Sequence, residues 1–408
     1  MEIFDPRRYA FSICVTAAML AGCSGSQPPL GAPGSIPQAS AIASARTVAH
    51  RILPAWSIKV LHSFDGHPDG EAATAGLDNL NGTLYGTTFY GGTHAVGIVY
   101  SISTDGAEKV LHSFGSGSDG IFPYAGLIHV QGTLYGTTRD GGTSDKGTVY
   151  SISTDGAEKV LHSFGGGSDG AKPFASLTDV GGTMYGTTPE GGPSDNGTVY
   201  SISTDGNEKV LYSFGGGSDG AKPSAYLTDV NGTLYGTTRY GGTSDKGTVY
   251  SISTDGREKV LYSFSGGSDG AYPGEGLTNV GNTLFGTADE GGTADKGIVY
   301  SIERSGAEKV LHSFGGGSDG ALPIGGLIDV KGTLYGTTFL GGPYGCFRSG
   351  CGTVYSISTD GTEKVLYSFD GSDGAKPQAR LLHHNGALYG TTPEGGMHNL
   401  GNVYELTP

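Results

Sequence analysis

Charge is scarce in this sequence. Only 15% of its 408 residues are Asp, Glu, Lys or Arg, and 24 basic residues face 39 acidic ones. A net charge of −15 leaves none of the basic patches that nucleic acid and anionic lipid surfaces select, so neither is expected as a partner. Cysteine is rare, at four residues, and no second long apolar run follows the first 23 positions. Nothing beyond them therefore reads as spanning a membrane. Neither H-E-x-x-H nor a D-x-D-x-D-G run occurs, so the usual zinc and calcium signatures are missing. What the chain has in excess is glycine, 76 residues against an ordinary share of ~7%. Each interior Gly costs a helix roughly 0.5–1 kcal/mol relative to Ala, which all but excludes a helical protein. The glycines do not recur at every third residue, which excludes collagen. Hydrophobic residues at 36%, with 23 Tyr among them, argue against general disorder. A turn-dense all-β protein remains.

The N-terminus reads as an address. Arg7 and Arg8 precede an apolar stretch from Tyr9 to Met19, the length of a signal-peptide core and too short to span a bilayer. It closes on Leu20-Ala21-Gly22-Cys23, which resembles the lipobox of bacterial lipoproteins. The resemblance implies removal of residues 1–22 and diacylation of Cys23. Residues 23–55 are rich in Ser, Pro, Ala and Gly without apolar periodicity, as expected of a flexible tether. The chain is thus expected in the bacterial cell envelope, exported and lipid-anchored at the outer membrane or cell surface. The membrane is touched only through the anchor.

Internal repetition decides the fold of residues 56–408. Leu-(His/Tyr)-Ser-Phe starts at Leu61, Leu111, Leu161, Leu211, Leu261, Leu311 and Leu366. Leu-Tyr-Gly-Thr-Thr or a close variant centres on Tyr85, Tyr135, Tyr185, Tyr235, Phe285, Tyr335 and Tyr389. Val-Tyr-Ser-Ile or a variant follows each of these. In the fourth copy the apolar runs predict strands a to d over 225–230, 233–238, 248–253 and 258–264. Asn231-Gly232 and the Asp-Gly pairs such as Asp205-Gly206 read as two-residue type I′ hairpins, with positive φ at both central positions. Four antiparallel strands every 50 residues, seven times, predict a seven-bladed β-propeller. A parallel β-helix is the rival, but its rungs need about half this period. The repeats begin with a lone d strand at 58–64 and end on a c strand at 403–406, so the N-terminal strand is expected to complete the last blade and close the ring.

These blocks resemble the GloVer tandem repeat, first noted in cyanobacterial and verrucomicrobial proteins. The resemblance covers roughly 57–408 and implies an exported propeller-type repeat protein with various membrane anchors. It brings no established activity and no catalytic residues.

Two sets of positions vary while the frame stays fixed. One follows Tyr-Gly-Thr-Thr and supplies the candidate ligand face: Phe89, Tyr90, Arg139, Asp140, Glu190, Arg239, Tyr240, Asp289, Glu290, Phe339 and Glu394. The other precedes strand a, at Tyr124, Phe174, Ser224, Gly274, Ile324 and Gln378. Both are expected on the face with the long b–c and d–a loops, where a repeat protein builds an asymmetric surface.

Other motifs read as structural. Gly166-Gly-Ser-Asp-Gly170 matches a serine-hydrolase elbow but recurs in later copies and leads to Pro173 and a strand. His62, His112, His162 and His312 share their position with Tyr212, Tyr262 and Tyr367, an exchange no metal ligand tolerates freely. The recurring loop aspartates could offer Ca²⁺ oxygens, but one per loop is thin, and they read as turn caps. No metal or cofactor is assigned. Cys346 and Cys351 sit in an insertion of the sixth b–c loop and are expected to form a disulfide in an oxidising compartment. With no catalytic set recognised, the expectation is a monomeric protein that is not an enzyme and binds a glycan, peptide or partner protein. The alternative is a propeller hydrolase or lyase acting on polysaccharide through Glu190, Asp289, Glu290 and Glu394.

Overall fold

The computed structural model describes residues 56–115, 117–343, 345–346 and 349–408. Cys23, the signal and the tether lie outside the described residues. The architecture is a ring of seven four-stranded antiparallel sheets, the fifth extended by a short strand at Ala271–Pro273. In blade 4, strand a is Thr228–Val230, b is Thr233–Thr238, c is Thr248–Ser253 and d is Glu258–Ser263.

Strand a is therefore half the predicted length. Its first residues are held by the preceding blade instead: Thr187 Oγ1 of strand b in blade 3 donates to the Ala225 carbonyl at 3.0 Å. The same stitch joins Thr87 to Ala125 at 3.0 Å and Thr391 of blade 7 to Ala75 of blade 1 at 2.8 Å. Here a neighbour's hydroxyl replaces the sheet's own ladder.

The ring closes as expected. Ser57–Ser63 pairs with Asn402–Thr407, from Ser57 opposite Thr407 to Ser63 opposite Asn402, and forms the outer strand of blade 7. Six of the seven a–b turns have the positive φ at both central positions that type I′ requires, as at Asn231, φ 55°, and Gly232, φ 81°; in blade 5 only Gly281 takes it. The c–d turns do not. Only the glycine takes a positive φ, 96° at Gly206. Its N–H donates to the Ser203 carbonyl at 3.0 Å, while the Ser203 N–H donates to the Asn207 carbonyl at 3.2 Å. The Ser203 hydroxyl bonds Asp205 and accepts from the Asn207 N–H at 3.1 Å. That side-chain cap holds a three-residue turn with a glycine bulge rather than a two-residue one.

The core lies between blades. Tyr100, Tyr150, Tyr200, Tyr250, Tyr300, Tyr355 and Tyr404 are fully buried. Each meets the edge of the Phe that ends strand d of the preceding blade, with ring centroids 5.1–5.2 Å apart. The Gly of Leu-Tyr-Gly-Thr-Thr makes room for this ring: a Cβ on Gly236 would stand 2.6 Å from Cζ and Oη of Tyr250. On the outer edge Lys109, Lys159, Lys209 and Lys259 are exposed, charges that discourage pairing with another sheet.

Candidate functional site: the axial channel

The b–c and d–a loops emerge on one face and bridge there, as Glu190 to Ala171 and Tyr240 to Ala221 show. The variable pairs after Tyr-Gly-Thr-Thr split into an inner and an outer member. The inner ones are packed away. Phe89 is buried and stacked on Phe122 at 5.1 Å, with Tyr90 against its edge at 4.6 Å. Phe339 is buried with the Lys376 ammonium 5.7 Å from its ring centre. Arg239 and Asp289 form an ion pair at 2.6 Å in which Asp289 is almost fully covered. Burial raises the Asp289 carboxyl even against that guanidinium. Arg239 also lies over Tyr272, which stands 5.5 Å from Tyr240 and whose hydroxyl accepts from the Lys246 ammonium at 2.6 Å.

The outer members are more open. Asp140 lies 3.7 Å from Lys172 and 3.5 Å from Arg139, the one inner charged residue left half-buried over Phe174 with no buried ion-pair partner among the described residues. Glu394 pairs with Lys376 at 2.8 Å, Glu190 is half-buried, and Glu290 is exposed. Much of the predicted ligand face is thus engaged with its own neighbours.

A large cavity lies elsewhere, along the propeller axis. It holds about 850 Å³ and is lined by the seven innermost strands. Most of its wall is uniform. One column reads Gly76, Gly126, Ser176, Tyr226, Gly276, Gly326 and Arg380. The column before it is Ala or Gly except at Glu275. Three bulky polar side chains from blades 4, 5 and 7 therefore enter a channel the other blades leave open.

Tyr226 lies flat along the wall, over Gly276 and Gly326. A Cβ on Gly276 would stand 2.4 Å from its ring, so the ring needs those glycines. Its hydroxyl is buried and makes no hydrogen bond. The Arg380 guanidinium carbon sits 5.2 Å from the Tyr226 ring centre, and Nε donates to the Leu327 carbonyl at 3.2 Å. Burial pushes the Glu275 carboxyl up to about 8, against the Gly276 N–H and the Arg380 charge that favour the anion. It is therefore mostly protonated at neutral pH.

At the loop-face end Tyr124 and Gln378 meet, with Gln378 Nε2 donating to the Tyr124 hydroxyl at 3.3 Å, and Phe174 packs 4.8 Å from Tyr124. The other end carries exposed His129, Asp179, Asp229, Asp329 and His383 at the a–b turns. Of the two variable sets, the one preceding strand a thus supplies residues at the axis. Tyr226, Glu275 and Arg380 were missed, although comparing strand a column by column across the copies marks all three.

The histidines and the tyrosines that share their position face one aspartate. His62 meets Asp69 at 2.9 Å, and Tyr212 donates to Asp219 at 2.6 Å in the equivalent place. Either ring offers the same aspartate a polar hydrogen. The aspartates are turn caps too: Asp145 and Asp195 accept from Gly141 and Gly191 N–H at 2.9 and 2.8 Å. His62, Asp69 and Glu108, and likewise His112, Asp119 and Glu158, bring their ligand atoms within 4.8 Å. Asp69 is already bonded to the Asp65 and Gly70 N–H groups and to His62, so this cluster is a structural knot. Cys346 and Cys351 are joined in a disulfide, Cα atoms 5.0 Å apart.

The fold and its closure define the class: a seven-bladed β-propeller built from near-identical repeats. The Gloeobacter/Verrucomicrobia repeat model matches residues 39–250 and 229–408, and the chain belongs to that family. No curated protein matches it. Among solved structures, a puromycin hydrolase S511A mutant complexed with PGG is 14% identical, with a TM-score of 0.55 over 82% of this chain and 52% of that one. Puromycin hydrolase itself gives 13% identity and 0.51 over 79% and 50%. A putative 6-phosphogluconolactonase from Bacteroides uniformis gives 14% and 0.49 over 76% and 88%. These likenesses show the fold. The two puromycin hydrolase structures also correct the expectation that the chain is not an enzyme: a protein of this architecture carries a hydrolase name, so a missing sequence motif does not count against catalysis.

Proposed function

We propose that this is an exported, lipid-anchored propeller that takes a polar ligand of the glycan, peptide or protein-segment class into its axial channel. One observation carries the reading. Tyr226, Glu275 and Arg380 break the repeat and converge on the same cavity, which is how a symmetric frame acquires one asymmetric site. A larger partner would meet the loop face instead, where Tyr90 and Tyr240 are half-buried and Glu290 is exposed.

The test restores the repeat. Full-length protein is screened on a glycan array and by pull-down, beside a variant with Tyr226→Gly, Glu275→Ala and Arg380→Gly. The expected result is a ligand that the wild type holds and the variant loses, with the melting profile of the ring retained. A ligand held equally by both sinks the channel reading.

Glu275 favours a second reading, hydrolysis of the bound ligand. A carboxyl held protonated at neutral pH beside a cavity is suited to act as a general acid. Glu275→Gln should then abolish cleavage of the ligand found in the screen while leaving its affinity within a few-fold. Unchanged turnover would remove Glu275 from any such chemistry.

A further inference from the structure

The channel's charges are sorted by depth, and this narrows the ligand class, on the channel reading above. Deep inside, Arg380 uses Nε on the Leu327 carbonyl and one face on Tyr226. Its side chain remains exposed, and among the described residues no carboxylate pairs with it. The nearest other bulky groups, the Tyr226 hydroxyl and the protonated Glu275, are donors as well. Three residues further along the innermost strands stand Asp179, Asp229 and Asp329, all exposed. One oxygen of each caps its own turn, accepting from Gly182, Gly232 and Gly332 N–H at 2.8–2.9 Å. At ~3.3 Å per strand residue, about 10 Å separates the arginine from the acidic mouth.

This arrangement discriminates among ligands. A polyanionic polysaccharide meets the acidic mouth first. A neutral sugar commonly packs on a bare aromatic face, and Arg380 covers the one Tyr226 would offer. A short peptide fits both charges. The innermost strands also have a sheet neighbour on one side only, so main-chain groups on the axis side are open to an extended peptide. Thr178, Thr228 and Thr278 already cap some of these carbonyls.

We propose that the channel binds a short peptide whose free C-terminal carboxylate pairs with Arg380 while its amino group or a basic side chain lies among the aspartates at the mouth.

The experiment is saturation-transfer NMR of the full chain in detergent micelles with a degenerate tripeptide library. The library is used as free acids, as C-terminal amides and as N-acetyl acids, beside neutral and uronic oligosaccharides. Free acids should bind. Amidation should weaken binding about 10- to 100-fold, the worth of a hydrogen bond to a charged group. Arg380→Gln should weaken the acids equally and leave the amides unchanged, with Arg380→Lys between. Asp229→Asn should act only on peptides with a free amine. Equal binding of acids and amides, or indifference to Arg380→Gln, overturns the proposal. If an oligosaccharide binds and the repeat-restored triple variant loses it while no peptide binds, the peptide assignment fails and the channel reading stands. If no class depends on that triple variant, both fail.

Discussion

Gly236 and Tyr250 provide a direct measure of how the blades are held together. An alanine at 236 would place Cβ 2.6 Å from Tyr250 Cζ and Oη and 2.9 Å from Leu227 Cδ2. None of these atoms is the free end of a mobile side chain: Tyr250 is fully buried and Leu227 nearly so. Overpacking of this kind costs about 1–3 kcal/mol. Gly236 is not in the left-handed region, so the backbone tolerates alanine and the smaller unfolded-state entropy returns about 0.4–1 kcal/mol. A net loss of about 1–2 kcal/mol is expected. Tyr250→Phe should behave oppositely. Its hydroxyl is buried with no partner, an uncompensated desolvation worth about 1–3 kcal/mol when present, so removal should be neutral to stabilising. Because the hydroxyl is one of the two tyrosine atoms alanine would strike, Gly236→Ala should cost less in the Tyr250→Phe background, with a coupling of about 0.5–1 kcal/mol. Equilibrium urea unfolding of wild type, both single variants and the double variant measures this, with unchanged m-values as the control. A wild-type midpoint for Gly236→Ala, or a loss of more than ~1 kcal/mol for Tyr250→Phe, would refute the account of the seams.

Four further outcomes are expected. Deleting residues 57–63 removes the outer strand of blade 7 together with Leu61, and should lower the melting temperature and cause association through the uncovered edge; melting and light scattering check it. Glu108, Glu208, Glu258, Glu308 and Glu363 are each pushed by burial, with a neighbouring aspartate adding to it, from 4.5 to about 7. A folded pKa above the unfolded one means stability present at low pH and lost as pH rises from about 4.5 through 7, so denaturation midpoints should fall between pH 5 and 8, and Glu→Gln at these positions should flatten the trend. Cys346→Ser with Cys351→Ser should leave the ring's melting nearly unchanged while making the sixth b–c loop a protease site, since the five-residue span of the disulfide lies within one loop; limited proteolysis reads this. On the proposed lipid anchoring, Cys23→Ser should move the protein from the membrane to the soluble fraction, read by fractionation; an unchanged distribution would remove Cys23 as the anchor.

The repeat made the ring, its closure, the a–b turns and the disulfide legible, because each rests on local turn chemistry or on motif spacing. What escaped depends on contacts between copies or on a side-chain cap that overrides the usual turn signal. The first half of strand a is held by a hydroxyl 38 residues away in the preceding blade, so no pattern within one run could shorten it. The c–d turn looked like a two-residue hairpin because Asp-Gly dominates that signal, whereas Ser203 reaches across and caps a longer one. The channel residues were overlooked for a related reason. Tyr226 and Arg380 occupy places where most blades have glycine, and glycine in a strand draws the eye to turns rather than to the space it leaves open. The loop-face positions varied more conspicuously, yet Arg239 and Asp289 are paired with each other.

The strand that completes the seventh blade is also the first strand after the N-terminal segment. Any pull transmitted from that segment arrives at Ser57, the outer end of a ladder that runs to Ser63. Such a load opens bonds one after another from Ser57 inward instead of straining all of them together. The ring is therefore mechanically weakest where it is joined, and a propeller held by its N-terminus under flow would yield first at blade 7, leaving the other six sheets and their seams intact.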